Sequence, residues 1–362
     1  MAGNQMEATF GTRTLTKALT TFADDSLDKF FLGIFEKGDQ LRPEGRLVEW
    51  DEQEYHRHLA PVVGHTSPFP KLEETTRKNK ASSMMHVKLH KDIPGERLFF
   101  DRAAGSLRPN ASDVVAREQR DLMLAIMKTV EWACAQTLQG ALVVSRQTVP
   151  GSESEFTINW GLSTHTRSAN WDLATTPIVS DELPKIEAAY LQTSGMLPGT
   201  AILNDVTERY LKSNTEVKSW AKELYAAEAL TSSINDARLL RSMRLNGLEW
   251  RSNPGGFVPK GARPAPGQTV AFQRYMADDK LIVLPPDQRL PDVIALALGH
   301  GIVPRTLWGG EGSMGIELAP SPGWYSYSEA ISNPPGVRLY AGWVGLPIVL
   351  FPKGVLVATV KA

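Results

Sequence analysis

The longest regular pattern of apolar and polar positions lies in residues 109–140. Apolar side chains recur there at helical spacing, at Met123, Met127, Val130, Cys134 and Leu138. Asn110 and Ser112 are residue types that accept hydrogen bonds from the first amides of a helix, and Gly140 suits a left-handed stop. The pattern predicts one long helix, residues 110–139, that is marked at both ends.

The first half of this helix is polar on nearly all sides, because its charged residues between Arg117 and Asp121 leave only Val114 and Val115 to bury. At about 1.5 Å per residue, about 28 residues span about 42 Å, which is more than the core of an ordinary domain requires. We therefore expect the helix to lie along a surface or a neighbouring subunit.

The N-terminal residues 1–26 are small, polar and rich in threonine. Their isolated large apolar side chains are Phe10, Leu15, Leu19 and Phe22. This composition predicts an arm that becomes ordered against another surface. The apolar cluster from Leu27 to Phe35 predicts a short amphipathic helix or an anchor where the arm meets the body.

Residues 46–102 have an extended pattern. One strand begins at Leu47, and alternation of polar and apolar residues from His86 to His90 predicts a second. The residues between them are rich in proline, charge and small side chains. We expect a long two-stranded projection that packs on a partner, because such a hairpin does not stay ordered alone in water. An enzyme lid is the alternative.

The remainder of the chain mixes helices and strands. A hairpin is predicted from residues 141–145 and 156–160, helices at 180–193, 206–211 and 215–229, and strands at 200–203, 280–284 and along 337–360. The predicted fold class is α+β.

The composition of the chain excludes several classes of protein. The chain has 362 residues, 42% of them hydrophobic, and a net charge of −1, so it lacks the basic excess of a dedicated nucleic-acid binder. Cys134 is the only cysteine, which excludes an intrachain disulfide, and its apolar surroundings predict a buried, inert thiol. No segment has the apolar length of a membrane span or the apolar run of a signal peptide.

Candidate catalytic chemistry is sparse. The candidate metal ligands are His56, His58, His65, His86 and His90, but no HExxH helix or cysteine partner accompanies them, so solvated or interface histidines fit better. The glycines near residues 300 and 310 lack the lysine and hydroxyl of a P-loop, and no GxSxG elbow occurs. We expect no catalytic residue, cofactor or metal.

Residues 170–221 carry Trp171 before Thr176-Pro177, an acidic helix start at Asp181 and Glu182, Gly195 as a helix stop and a strand at Ala201–Asn204. In the C-terminal part, Asn333-Pro334-Pro335 precedes a strand, and Gly345 to Val349 lead through Pro352 to a last strand. In their order and spacing, these residues resemble the lambda-like major capsid protein E family, which has the Hong Kong 97-type capsid fold. The resemblance covers most of residues 27–362.

The resemblance implies a domain organisation. Residues 1–35 would form an N-terminal arm, 36–104 an extended loop (E-loop) over a neighbouring subunit, 105–176 the peripheral (P) domain with its spine helix, 177–329 the axial (A) domain, and 330–362 the returning strands of the P domain. The implied function is that of a tailed-phage major capsid protein, which forms pentamers and hexamers of an icosahedral shell around double-stranded DNA.

The arm and the E-loop would then supply contacts between subunits. The expected contact residues are Phe10, Phe22, Trp50, Tyr55, Phe69, Lys71, Arg77, Lys78, Lys80, His86 and His90. Expected partners are further copies of the chain, a separate scaffolding protein, the portal at one vertex, a decoration protein, and packaged DNA by non-specific proximity. The expected locations are the virion and, during assembly, the host cytoplasm.

Two other functions remain open at this point. One is an encapsulin-type compartment, the same fold around a protein cargo. The other is a soluble hydrolase with a lid at 46–102, which would need a converging nucleophile and base.

Overall fold

The structure, a computed structural model, describes residues 12–24, 29–43, 45, 47–52, 77–100, 111–145, 155–225, 244–245, 247–258, 272–305 and 315–361. The helices are α1 (Thr12–Asp24), α2 (Phe31–Glu36), α3 (Gly95–Phe100), α4 (Ala111–Leu138), α5 (Leu183–Ser194), α6 (Asp205–Ser213), α7 (Thr215–Tyr225) and α8 (Leu290–Val293). A π-helical turn, Ile178–Glu182, leads into α5.

Strands accompany these helices along the whole chain. They are β1 (Asp39–Leu41), β2 (Leu47–Glu52), β3 (Lys78–Ser83), β4 (Met85–Pro94), β5 (Ala141–Val144), β6 (Phe156–Asn159), β7 (Ser163–Thr166), β8 (Thr200–Leu203), β9 (Arg244–Leu245), β10 (Leu248–Ser252), β11 (Gly256–Phe257), β12 (Gln273–Arg274), β13 (Lys280–Leu284), β14 (Ile294–Leu298), β15 (Ile302–Arg305), β16 (Gly315–Leu318), β17 (Trp324–Ser332), β18 (Pro335–Val349) and β19 (Leu356–Thr359). The predicted α+β class is confirmed.

A large sheet is built around β18. Residues 336–345 of β18 pair with β4 and residues 335–343 pair with β17, so these two strands lie on opposite sides of it. Residues 345–349 pair with β14, which pairs in parallel with β1. The sheet combines strands from distant parts of the chain, since β1, β4, β14 and β17 are all part of it with β18.

A second sheet has the strand order β7-β19-β13-β8-β10-β9. Its own apolar cluster includes Trp171, Tyr190, Leu211 and Trp250, contributed by the segment before α5, by α5, by α6 and by β10. The larger cluster lies between α4 and the large sheet. The body therefore has two cores, joined by the C-terminal strands that enter both sheets.

The long helix is confirmed as α4, and Gly140 follows it with a φ of 112°. The expectation that its first half buries only Val114 and Val115 is wrong. Glu118 and Gln119 are buried there at 2% and 1% exposure, because α1, α3 and β4 cover that half. Buried polar groups require partners, and both side chains have them.

Residues 12–24 form a helix that packs on β17 and α4 of the same subunit, where the composition predicted an arm that becomes ordered against another surface. Leu15 and Leu19 are buried, and the Thr16 hydroxyl bonds both backbone groups of Ser326 at 3.1 Å. These bonds occupy backbone groups of β17 that β18 does not use. The segment forms a packed helix because its large apolar side chains are spaced as on one face of a helix.

The predicted two-stranded projection has a different second strand. β2 pairs with β3, from Leu47 opposite Ser83 to Glu52 opposite Lys78, whereas the His86–His90 segment lies in β4 and belongs to the large sheet. The tip between β2 and β3 lies outside the described residues. The alternation in β4 was correct, but alternation alone does not identify the partner strand.

Most other predicted elements are confirmed. The hairpin is β5–β6, the strands at 200–203 and 280–284 are β8 and β13, and the apolar C-terminal stretch is β18 and β19. The helix predicted at 180–193 begins with the π-helical turn and ends at Gly195, whose φ is 72°. Of the helix predicted at 215–229, the described part ends at Tyr225.

Candidate assembly surfaces

The expected contact residues occupy different environments. Phe10, Tyr55, Phe69 and Lys71 lie outside the described residues, as do His56, His58 and His65. Phe22 packs against the larger core, and Lys80 pairs with Glu52 at 2.7 Å. Arg77, Lys78, His86 and His90 are exposed.

Trp50 anchors the β2–β3 hairpin to its own subunit. Its side chain is 5% exposed, and its ring centroid lies 5.5 Å from that of Trp160. Val48, two residues earlier on the same face of β2, is also buried. Because this face is already covered within the chain, Trp50 is left out of the interface that we propose below.

The other face of the hairpin is open. Leu47 is 60% exposed there, and Glu49 and Ala81, which are opposite each other across the two strands, are also exposed. The open face thus combines an apolar side chain with acidic and small ones.

Six of the nine large exposed apolar side chains in the described residues lie in or beside the two-stranded sheets, and the other three are Leu173, Leu191 and Leu197. Ile302 and Leu318 are opposite each other in β15–β16 and are 51% and 62% exposed. Other such exposed side chains are Leu47 in β2–β3, Val143 in β5–β6, and Val258 and Phe272 beside β11–β12. A two-stranded sheet is marginal alone, and clustered exposed apolar groups mark interaction sites.

Sequence analysis missed the β15–β16 pair. In β15, exposed Ile302 is followed by fully buried Val303. This alternation is the signal that would have found the strand, but it is too short to stand out from the neighbouring glycines and proline.

Ion pairs hold β4 and α3, which follow the β2–β3 hairpin in the chain, against α4. Lys91 of β4 and Arg97 of α3 both pair with Glu118, whose side chain is 3% exposed, and the Arg97 distance is 2.9 Å. The hydrogen bond to Glu118 raises the pKa of Lys91. The pairs hold β4 and α3 on the spine helix, because removal of one partner would leave a buried charge uncompensated.

The face of the large sheet opposite α4 carries a row of rings. Tyr327, Tyr340 and His90 are neighbours across β17, β18 and β4, with ring centroids 4.5 Å apart for the tyrosines and 5.7 Å apart for Tyr340 and His90. Beside this row, Arg338 pairs with Asp92 through two bonds of 2.5 and 2.8 Å, and the guanidinium lowers the pKa of that carboxyl. This face is therefore rich in contacts between strands and balanced in charge.

The described part of the chain contains no group of three or more His, Cys, Asp or Glu side chains that could hold a metal. Cys134 is fully buried, and burial raises the pKa of its thiol. Among the helices that the structure describes, none is long and apolar enough to cross a membrane.

Comparison with known proteins identifies the family to which the chain belongs. The sequence profile of the family described as phage major capsid protein E matches residues 12–292, which is well over half of the chain. The chain belongs to the phage major capsid protein E family. No curated protein sequence matches this capsid protein.

Solved structures show the same fold. A protein assigned as a prophage capsid protein, from E. coli CFT073, is 12% identical, with 97% of this chain and 99% of that one covered and a TM-score of 0.59. The capsid of a native GTA particle is 9% identical, with coverage of 93% and 92% and a TM-score of 0.51. A phage-related protein from Bordetella bronchiseptica RB50 is 12% identical, with coverage of 94% and 96% and a TM-score of 0.50.

The capsid protein has the Hong Kong 97-type fold, and its place is the virion capsid. Family and fold are those of structural proteins, not enzymes, so the soluble hydrolase is set aside. The family match also favours a phage capsid over the encapsulin alternative.

Proposed function

We propose that this capsid protein assembles as pentamers and hexamers into the icosahedral head of a tailed phage, around double-stranded DNA. The observation that carries the proposal is the family match over residues 12–292. The concentration of exposed apolar side chains on two-stranded sheets supports it, because a subunit with this surface gains by burying it against copies of itself.

For the subunit, we propose the domain roles that the resemblance implies. The E-loop within residues 36–104 reaches a neighbour, the P domain contains α4 and the large sheet, and the A domain is centred on the second sheet within residues 177–329. Contacts from the E-loop involve Tyr55, Phe69, Lys71, Arg77, Lys78 and Lys80, with His86 and His90 at its base and Phe10 from the N-terminal segment.

Many modest contacts per copy suit such a shell. Full burial of an exposed apolar side chain contributes about 1.5–3 kcal/mol, so each of these half-covered side chains contributes about half of that, and the ordering of flexible segments offsets part of the gain. Rapid assembly in the host cytoplasm then benefits from a scaffolding protein that selects the correct curvature. The portal at one vertex and a decoration protein are further proposed partners.

The test is the mass and shape of the purified chain by light scattering and negative-stain microscopy, with and without a co-expressed scaffolding protein. We expect closed shells with the scaffold, and rings or irregular shells without it. A monomer or dimer under both conditions would contradict the proposed assembly.

A further inference from the structure

The near-neutral charge of the chain conceals an uneven distribution. The net charge is −1, yet the packed helices α1 and α4 expose five cationic side chains. These are Arg13, Lys17, Arg117, Arg120 and Lys128. The two helices are joined where Gln119 Nε2 donates to the Leu15 carbonyl oxygen at 2.6 Å, so the five side chains belong to one layer of the subunit.

Most of these charges are not compensated. Within the described ranges, no carboxylate lies within 4 Å of Arg13, Lys17, Arg120 or Lys128. Arg117 approaches Glu118 at 3.9 Å, but Lys91 and Arg97 already pair with that carboxylate. Of the exposed acids on α4, Asp121 is paired with Lys91 at 3.3 Å, which leaves Asp113.

The two sides of the large sheet therefore differ in charge. Along β4, Lys91 points toward α4, whereas His90 and Asp92 point to the other face, since neighbours in a strand alternate. On that other face Arg338 is neutralised by Asp92 and Tyr340 donates to Glu329. The exposed Lys88 also lies on that face, and Glu329 offsets its charge, so only the helix layer is left with a surplus of positive charge.

The arrangement fits an extended polyanion better than a small anion. Arg117 and Lys128 are eleven residues apart on α4, which corresponds to about 16 Å along its axis. Arg13 and Lys17 are one turn apart on α1. The charges thus form rows on rigid helices and do not converge on a pocket, whereas duplex DNA presents one phosphate charge per about 1.7 Å of its axis.

We propose that the α1–α4 layer lines the interior of the shell and contacts the phosphates of packaged duplex DNA through Arg13, Lys17, Arg120 and Lys128. This inference rests on the proposed function. Four phosphate contacts give weak, sequence-independent binding, which falls about 100-fold between 50 and 200 mM salt. Weak contacts of this kind let DNA move during packaging while they offset part of its self-repulsion.

Orientation is tested on intact shells by thiol labelling. Because Cys134 is fully buried, Lys128→Cys supplies the one accessible described thiol, and Glu329→Cys places a thiol on the opposite face of the sheet. We expect a maleimide-polyethylene glycol that is too large to pass through the shell wall to label Glu329→Cys in closed shells. Lys128→Cys should be labelled only after the shells are dissociated.

DNA contact is tested on purified capsomers with a fluorescent 30-bp duplex of arbitrary sequence, a length of about 100 Å. The test variant carries Arg13→Gln, Lys17→Gln, Arg120→Gln and Lys128→Gln. The matched control carries Arg42→Gln, Lys218→Gln, Arg289→Gln and Lys353→Gln, which remove the same charge from exposed positions elsewhere. We expect the slope of log affinity against log salt to fall by 3 to 4 in the test variant, at about 0.9 per contact, and by less than about 1 in the control.

The outcomes separate the two proposals. Absence of shells or capsomers from the unaltered chain contradicts the proposed function. If shells form but Lys128→Cys is labelled from outside, the orientation is wrong. Equal loss of slope in both quadruple variants, or binding of polyglutamate in place of the duplex, would overturn DNA contact by this layer.

Discussion

The large sheet and the four two-stranded sheets bury their side chains to different extents. In β18, every residue from Ala341 to Val349 is buried, whereas β15–β16 exposes Ile302 and Leu318 opposite each other. The large sheet is covered on one face by α4 and at its β17 edge by α1. The two-stranded sheets have one covered face at most, as β2–β3 shows with buried Trp50 and exposed Leu47.

This difference separates folding from assembly. Free energy from burial in the large sheet is available to a single subunit, whereas burial of the exposed faces of the two-stranded sheets contributes only when another surface covers them. Substitutions in the sheet should therefore change the free energy of unfolding, and substitutions on the exposed pairs should change assembly.

The largest effect is expected for Trp343→Ala. Trp343 is 1% exposed and lies between Trp324 of β17 and Val87 of β4. Truncation leaves a cavity at the centre of the sheet, and we expect the free energy of unfolding to fall by about 3–5 kcal/mol. Urea denaturation of the soluble subunit measures this fall. A loss below about 1 kcal/mol would show that β18 does not depend on its core packing.

The next effect concerns Glu131, which attaches the N-terminal segment to α4. Its two oxygens accept hydrogen bonds from the amides of Phe31 and Leu32, at 2.8 and 3.0 Å. Burial raises the pKa of Glu131 from 4.5 to about 7, and these amides oppose the rise. The negative charge of nearby Glu36, which pairs with Lys29 at 2.9 Å, also raises the pKa of Glu131.

A carboxyl whose pKa is raised by folding stabilises the folded state fully below pH 4.5 and loses that contribution as the pH rises through about 7. At about 1.4 kcal/mol per pH unit, the contribution amounts to about 3 kcal/mol. We expect the free energy of unfolding to fall over this range in the unaltered chain and to be about 3 kcal/mol less pH-dependent in Glu131→Gln. Parallel pH profiles of the two proteins would contradict this.

Prediction from the sequence was more accurate for the long helix and the core strands than for the pairing between strands. The apolar rows of α4 and the continuous apolar strands of β18 are strong local signals, and both elements are where the pattern placed them. Sheet pairing was harder, because β2 and β4 each have strand periodicity but pair with β3 and β18, and the choice depends on contacts far apart in sequence.

The candidate surfaces were predictable only in part. The exposure of charged side chains such as Lys78 can be predicted from their residue type. The burial of Trp50 could not be predicted, because Trp160, which packs against it, lies far along the chain. The N-terminal helix was missed although Leu15, Leu19 and Phe22 have helical spacing, because threonine and small residues gave the segment the composition of an arm. The surplus positive charge of α1 and α4 could not be predicted from the sequence, because it depends on which acidic side chains are paired.

A smaller effect on folding is expected where α1 covers the edge of β17. Thr16→Val keeps the shape of the side chain but removes the hydroxyl that bonds the Ser326 amide and carbonyl. We expect a loss of about 1–3 kcal/mol in the free energy of unfolding, because two buried backbone groups lose their partner. The control is Thr21→Val on the exposed side of α1, which should change the value by less than about 0.5 kcal/mol. Equal effects of the two variants would mean that the Ser326 contact does not hold α1.

The smallest effect on folding, and the sharpest test of the comparison, is expected for Ile302→Thr with Leu318→Thr. Threonine keeps a high strand propensity, and both side chains are more than half exposed, so the free energy of unfolding should change by less than about 0.5 kcal/mol. If the pair is buried against a neighbour in the shell, its loss should raise the subunit concentration needed for assembly at least about tenfold, which corresponds to about 1.4 kcal/mol per subunit. Light scattering during scaffold-directed assembly measures that concentration. Glu317→Gln, at the exposed position next to Leu318, is the matched control and should assemble like the unaltered chain. Normal assembly of the double variant would assign β15–β16 to the free surface of the shell and leave the other two-stranded sheets to hold the subunits together.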